Sequence, residues 1–150
     1  MKNIDIKIID SRIGKNFPFP TYFNKGAAGI DLCVCTTTNL YLKKNTTQLL
    51  PTGIAIFIKN PEISAIIIPR SGIGHKHGII LGNSIGLIDS DYQGEIMVSV
   101  WNRSDTIFCV KPGMRIAQIV FLPIIKVNFN IVTNFSLSCR GGKGFGHSGY

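Results

Sequence analysis

The chain has 150 residues, 45% of them hydrophobic and 16% charged, with 16 lysines and arginines against 8 acidic residues and a formal net charge of +8. That length suits a single domain spanning 1–150 with a real core, and that balance excludes a disordered chain. No uninterrupted apolar run approaches membrane-spanning length, and residues 1–8 alternate polar and apolar instead of forming the apolar centre of a secretory signal, so a soluble, cytoplasmic protein is expected.

Taken in chain order, nearly every segment reads as strand. Residues 4–9 alternate, and short apolar or alternating runs follow at 29–35, 48–50 with 54–58, 65–68, 79–81, 95–101, 106–110, 115–123 and 127–132. Turn residues divide them at 51–53, 60–61, 72–78, 82–83 and 111–113. One short helical turn is expected after Pro61, through Glu62 and Ile63, and no long amphipathic helix is visible. Many short strands rich in isoleucine and spaced by Gly and Pro predict an all-β barrel or sandwich. Residues 140–150 differ: five glycines leave nothing to build a core, so this end reads either as a frayed terminus or as a flexible arm anchored by Arg140 and Phe145.

The basic residues are scattered, with Lys43 beside Lys44, Lys76 between His75 and His77, and Arg140 near Lys143. There is no long basic run and no aromatic–basic stripe, so a compact polyanion such as a nucleoside triphosphate fits as well as nucleic acid. Cys33, Cys35, Cys109 and Cys139 form no CxxC pair, so they read as small core residues or free thiols, not as a zinc site. His75 and His77 share a face if their segment is extended, but no third ligand is evident.

Five short pieces carry possible chemistry. Ala28-Gly29-Ile30-Asp31-Leu32 places a carboxylate in an apolar strand, where it needs a partner or a charged ligand nearby. Pro69-Arg70-Ser71-Gly72 offers backbone N–H groups, a hydroxyl and a guanidinium that suit phosphate oxygens, without the Lys ending of a P-loop. Gly86-Leu87-Ile88-Asp89-Ser90-Asp91-Tyr92 sets two carboxylates beside an aromatic ring, between strand signals. It reads as an acidic surface turn or as a hairpin whose Asp89 orients and deprotonates water. Arg115-Ile116-Ala117-Gln118 opens a strand, and the glycine-rich end is the fifth piece. Each alone reads most simply as a structural turn.

In this order the five pieces resemble the ordered motifs of trimeric dUTPases of the bacterial type, over essentially the whole chain. The resemblance implies a jelly-roll-like β-barrel subunit, a homotrimer whose active sites are shared between subunits, and a mobile C-terminal arm over 140–150. It implies hydrolysis of dUTP to dUMP and pyrophosphate, with Mg²⁺ held through the substrate phosphates and water and no direct protein ligand. Asp31 would act near that ion through water. Nucleic acid and membrane are not among the implied partners. A dCTP deaminase shares a similar fold but lacks the complete motif set. A non-catalytic nucleotide-binding trimer would need a damaged site.

The roles that follow from the resemblance are specific. Asp89 matches the catalytic residue that holds the attacking water, and it also belongs to the substrate site. Arg70, Ser71 and Gly72 match the phosphate loop, and Gln118 is expected near the phosphates, with Arg115 bracing the site through carboxylates. Asn83 and the backbone around Leu87 and Ile88 would read uracil, Tyr92 would pack against deoxyribose C2′, and Met97 would line the same pocket. Arg140 would grip the γ-phosphate and Phe145 would stack on the base. Lys143 stands where glycine is usual, Gln93 where arginine is common, and His147 and Ser148 where Ser-Thr is common.

Overall fold

The structure, a computed structural model, describes residues 2–147 and Gly149. Met1, Ser148 and Tyr150 lie outside the described residues, so the expectation for the end of the arm is open at Ser148.

The described residues form ten strands and one short helix: β1 Asp5–Ile8, β2 Ile30–Cys33, β3 Leu40–Leu42, β4 Thr46–Phe57, β5 Ile63–Pro69, α1 Ser71–His77, β6 Ile79–Leu81, β7 Gly86–Ile88, β8 Glu95–Asn102, β9 Phe108–Val110 and β10 Arg115–Pro123. They pair into a four-stranded sheet in the order β1-β4-β8-β6, a second in the order β2-β10-β5-β7, and a ribbon of β3 and β9. Every ladder is antiparallel.

Period-2 patterning builds the core. Ile96, Val98, Val100 and Asn102 point inward from β8, every second residue buried. They meet Leu50, Ile54 and Ile56 of β4 on one side, and Leu32, Ala65, Ile67, Ala117 and Ile119 of the second sheet on the other. Each buried Leu, Ile or Val contributes about 1.5–3 kcal/mol relative to exposure, so this seam holds the sheets together. Asn102, fully buried, is tolerated because it is saturated. Its Nδ2 donates to the carbonyls of Leu42 (3.0 Å) and Thr106 (2.8 Å), while its Oδ1 accepts from Ser104 N (3.1 Å) and Ser104 Oγ (2.7 Å).

Four local expectations are corrected. Residues 51–53 are not a turn but a bulge inside β4, where the register with β8 shifts between Pro51 and Ala55. Gly53 makes the bulge possible with φ +71°, and its carbonyl accepts from both Ile9 N and Asp10 N. Residues 71–77 are helical despite two glycines, because α1 is fixed by its surroundings: Ile73 packs on the core and Gly78 closes the helix in a left-handed conformation, its N–H donating to Gly74 O at 3.1 Å. In a helix, residues two apart are about 200° apart around the axis, so His75 and His77 share no face, and His77 instead packs on Phe108 with ring centroids 5.4 Å apart. The stretch after Pro61 is a plain turn closed by Ile63 N donating to Asn60 O, not a helical turn. Finally, residues 127–132 form no strand in the chain by itself: Phe129 and Ile131 are 94% and 96% exposed. The β3 strand carried too short a signal to be read.

Candidate active site

One cluster forms where β2, β5 and β10 run side by side. Gln118 is opposite Asp31 on β2 and opposite Ile68 on β5, so β10 places its side chain between the first two motifs. Arg70, the residue after β5, donates from Nε to Asp31 Oδ1 at 2.8 Å and from Nη1 to the Arg115 carbonyl at 3.3 Å. Arg115 Nη1 reaches Asp31 Oδ2 at 3.4 Å. The half-buried Asp31 therefore has both oxygens engaged by guanidiniums, which answers its need for a partner in an apolar strand and fixes both arginines. Gln118 Nε2 donates to Pro69 O at 3.0 Å. A methyl group on Gly29 would come within 2.5 Å of Gln118 Oε1. A larger residue there would push the Gln118 amide out of its present position, which gives Ala28-Gly29 a physical reason.

These groups line a cavity of about 550 Å³. Its other wall, including Thr21, Phe23 and Asn24, comes from the loop before β2. Sequence reasoning missed that wall. The available signal was the turn Asn24-Lys25-Gly26, where Asn24 Oδ1 accepts from Gly26 N at 2.9 Å directly before the first motif. Ser71 and Gly72 open α1 beside the cluster and are exposed. Their N–H groups have no intrahelical partner.

The third motif lies elsewhere. The stretch that reads as a hairpin carrying Asp89 is more elaborate: β6 and β8 pair antiparallel in the first sheet, but β7 between them leaves that sheet and pairs with β5 in the second. The chain crosses between sheets at Asn83 and again after Ile88. Asn83 is exposed on a tight turn in which Ile85 N donates to Asn83 O at 2.7 Å and Ser84 takes φ +63°. Asp89 begins the second crossing, and its carbonyl accepts from Tyr92 N at 3.2 Å. Asp89, Tyr92 and Leu87 are exposed, and Ile88 and Met97 are half-buried.

Register gives the separation. Ile88 is opposite Ala65, and Ser64 Oγ donates to Ile88 O at 2.8 Å. Asp89 thus lies at the Ser64 end of β5 and Arg70 at the other, six residues away. At about 3.3 Å per residue that is roughly 20 Å, too far for one phosphate group and one water to meet both. The arm forms a third group. Arg140 closes on its own backbone, with Nε to Lys143 O at 2.9 Å and Nη2 to Gly144 O at 3.4 Å, and Phe145 is fully exposed. The structure brings Arg70, Arg115, Gln118 and Asp31 together. It does not bring Asp89, Asn83, Tyr92, Met97, Arg140 or Phe145 to them.

The dUTPase family model matches residues 15–149. The chain belongs to the dUTPase family. It is 58% identical over 149 residues to the deoxyuridine 5′-triphosphate nucleotidohydrolase of Photorhabdus laumondii, covering 99% of this chain and 98% of that one. The corresponding Hamiltonella defensa protein is 59% identical, with 99% of both chains covered. The fold matches the Staphylococcus bacteriophage 80alpha dUTPase solved with dUPNHPP, with a TM-score of 0.85 at 24% identity over the full length of both chains. The sandwich of two four-stranded sheets is thus the dUTPase fold.

Proposed function

We propose that the chain hydrolyses dUTP to dUMP and pyrophosphate, as a single domain over 1–150 that works as a homotrimer with shared sites and a mobile arm over 140–150. The observation that carries this reading is the separation just described: a cationic cavity at one end of β5 and an exposed carboxylate at the other. Two incomplete halves on one chain become complete sites when copies associate in a ring. Two further features support association. Ile125, Val127, Phe129 and Ile131 alternate along an unpaired, exposed segment, and an apolar hollow of about 770 Å³ opens beside β1, lined by Ile4, Ile6, Tyr22, Ile63, Phe121 and Ile124.

In this reading Asp89 of one copy takes a proton from water and aims it in line at the α-phosphorus. Arg70, the Ser71 hydroxyl and the Gly72 N–H of another copy receive the phosphates, with Ser71 donating where charge grows as pyrophosphate leaves. Gln118 lies beside them, and Arg115 holds Asp31 and Arg70 in place. Asn83 and the backbone of Leu87 and Ile88 pair with the uracil edge, where cytosine would leave donors and acceptors unmatched. Tyr92 bars a 2′-hydroxyl, and Met97 lines the base pocket. Arg140 binds the γ-phosphate and Phe145 covers the base, so that arm closure excludes water. The reaction would lower dUTP available for incorporation into DNA and supply dUMP for dTMP synthesis, and we place the protein in the cytoplasm.

Magnesium fits as an ion carried by the triphosphate. No three His, Cys, Asp or Glu stand together among the described residues, and both Asp31 oxygens already face arginines. Asp31 would contact the ion only through water. When bound, the ion would neutralise charge on the phosphate oxygens. The test is pyrophosphate release from dUTP beside dTTP, dCTP and UTP. Release from dUTP alone is expected. Ammonia from dCTP without pyrophosphate would overturn the reading.

A further inference from the structure

Tyr92 rests on Gly94. A methyl group built on Gly94 would stand 2.7 Å from Tyr92 Cζ and 3.2 Å from Cε2, and would overlap the phenol oxygen. Carbon atoms in ordinary contact are about 3.5–4.0 Å apart. The obstruction is a rigid ring with two rotatable bonds, which yields only by swinging away as a unit. Swinging away breaks a second contact, because Tyr92 Oη donates to the Glu95 carbonyl at 3.0 Å. Glu95 is itself fixed: its Oε1 accepts from Gly53 N in the β4 bulge at 2.8 Å, and its backbone is in register with Ala55. The tyrosine ring is therefore folded back over residues 94–95 and tied to the rigid first sheet. Gly94 does not have positive φ. Alanine is allowed there by the backbone, so the effect of a methyl group falls on Tyr92.

We infer that Gly94 is a positioning residue that sets discrimination at the sugar, by allowing the Tyr92 ring to lie where it meets C2′. The inference rests on the reading of Tyr92 given above. With the ring displaced, the space that excludes a 2′-hydroxyl opens, and UTP gains relative to dUTP. A merely structural glycine would alter stability or overall turnover and leave that ratio alone.

The test measures kcat/KM for dUTP and UTP in wild type, Gly94→Ala, Tyr92→Leu, Tyr92→Phe and the double variant Gly94→Ala/Tyr92→Leu. Gly94→Ala is expected to narrow the dUTP-to-UTP ratio at least about tenfold, the scale on which pockets sense one small group. In the Tyr92→Leu background it is expected to narrow the ratio no further, since the two changes act on one ring. Tyr92→Phe keeps Gly94 and removes only the tether, so it should narrow the ratio in the same direction by less. It also provides the reading if Gly94→Ala does not fold. A wild-type ratio in Gly94→Ala alongside a narrowed ratio in Tyr92→Leu would overturn the inference and leave the Tyr92 reading standing. So would equal narrowing by Gly94→Ala with and without Tyr92. A wild-type ratio in Tyr92→Leu would instead remove Tyr92 from the sugar site. With Gly94→Ala unfolded, a wild-type ratio in Tyr92→Phe would overturn the inference.

Discussion

Asp89 is an exposed carboxylate that opens a turn, and its replacement would separate binding from turnover. Asp89→Asn keeps the shape of the turn and removes the proton acceptor. dUTP binding measured by calorimetry should persist within a few fold, while turnover falls by at least about a hundredfold, the usual scale for loss of a positioned general base. Unchanged turnover would take Asp89 out of the reaction. Asp10 shows a different kind of residue effect. The Arg12 guanidinium beside it donates to both carboxylate oxygens and pulls its pKa from the ordinary 3.8 down to about 2. Folding is therefore favoured by the ionised form. That contribution is full above about pH 4 and disappears as pH falls toward 2. Thermal melts of wild type and Asp10→Asn from pH 6 to pH 2 should start apart, with wild type higher, and converge at the acid end. Parallel curves would show that the pair does not couple to folding.

At the scale of elements, the sequence exposed most of the framework, because half-buried strands write their pattern in alternating residues. The β6 and β10 bounds were read directly, and β8 to within one residue. What escaped was structure imposed from elsewhere. The bulge at 51–53 depends on the N–H groups of residues 9 and 10, which donate to the Gly53 carbonyl. The helix α1 has poor intrinsic propensity and is held by Ile73 and its Gly78 cap. The crossing after Ile88 depends on which sheet β7 joins, and no local pattern records that. The Asp31, Arg70, Arg115 and Gln118 cluster was legible as members of three motifs because their chemistry is local, but the Gly29–Gln118 and Gly94–Tyr92 contacts are distances, and sequence has none. The arm is the element whose role is most directly testable. A chain ending at Cys139 keeps the exposed apolar segment but loses Arg140 and Phe145. It should retain its oligomeric state in sedimentation and lose most dUTP turnover. Full activity would refute closure by the arm.

For the whole molecule, the roughly 20 Å between Asp89 and Arg70 makes a prediction about mixtures. Asp89→Asn and Arg70→Ala, each inactive alone, should recover activity when unfolded together and reassembled. With random trimers and each site drawing one residue from each of two copies, about a quarter of the sites would be intact. A site contained within one chain would give none. The net charge of +8 acts at this scale too, drawing a polyanionic substrate toward the molecule.

The uncovered side chains at positions 125, 127, 129 and 131 have a consequence for the life of each newly made copy. If the proposed trimer covers them, a copy that has not yet met its partners displays an exposed, alternating apolar segment, the kind from which fibrous aggregates grow. In that assembly its most hazardous period would be the solitary interval between synthesis and encounter, and scarcity of companions would lengthen it.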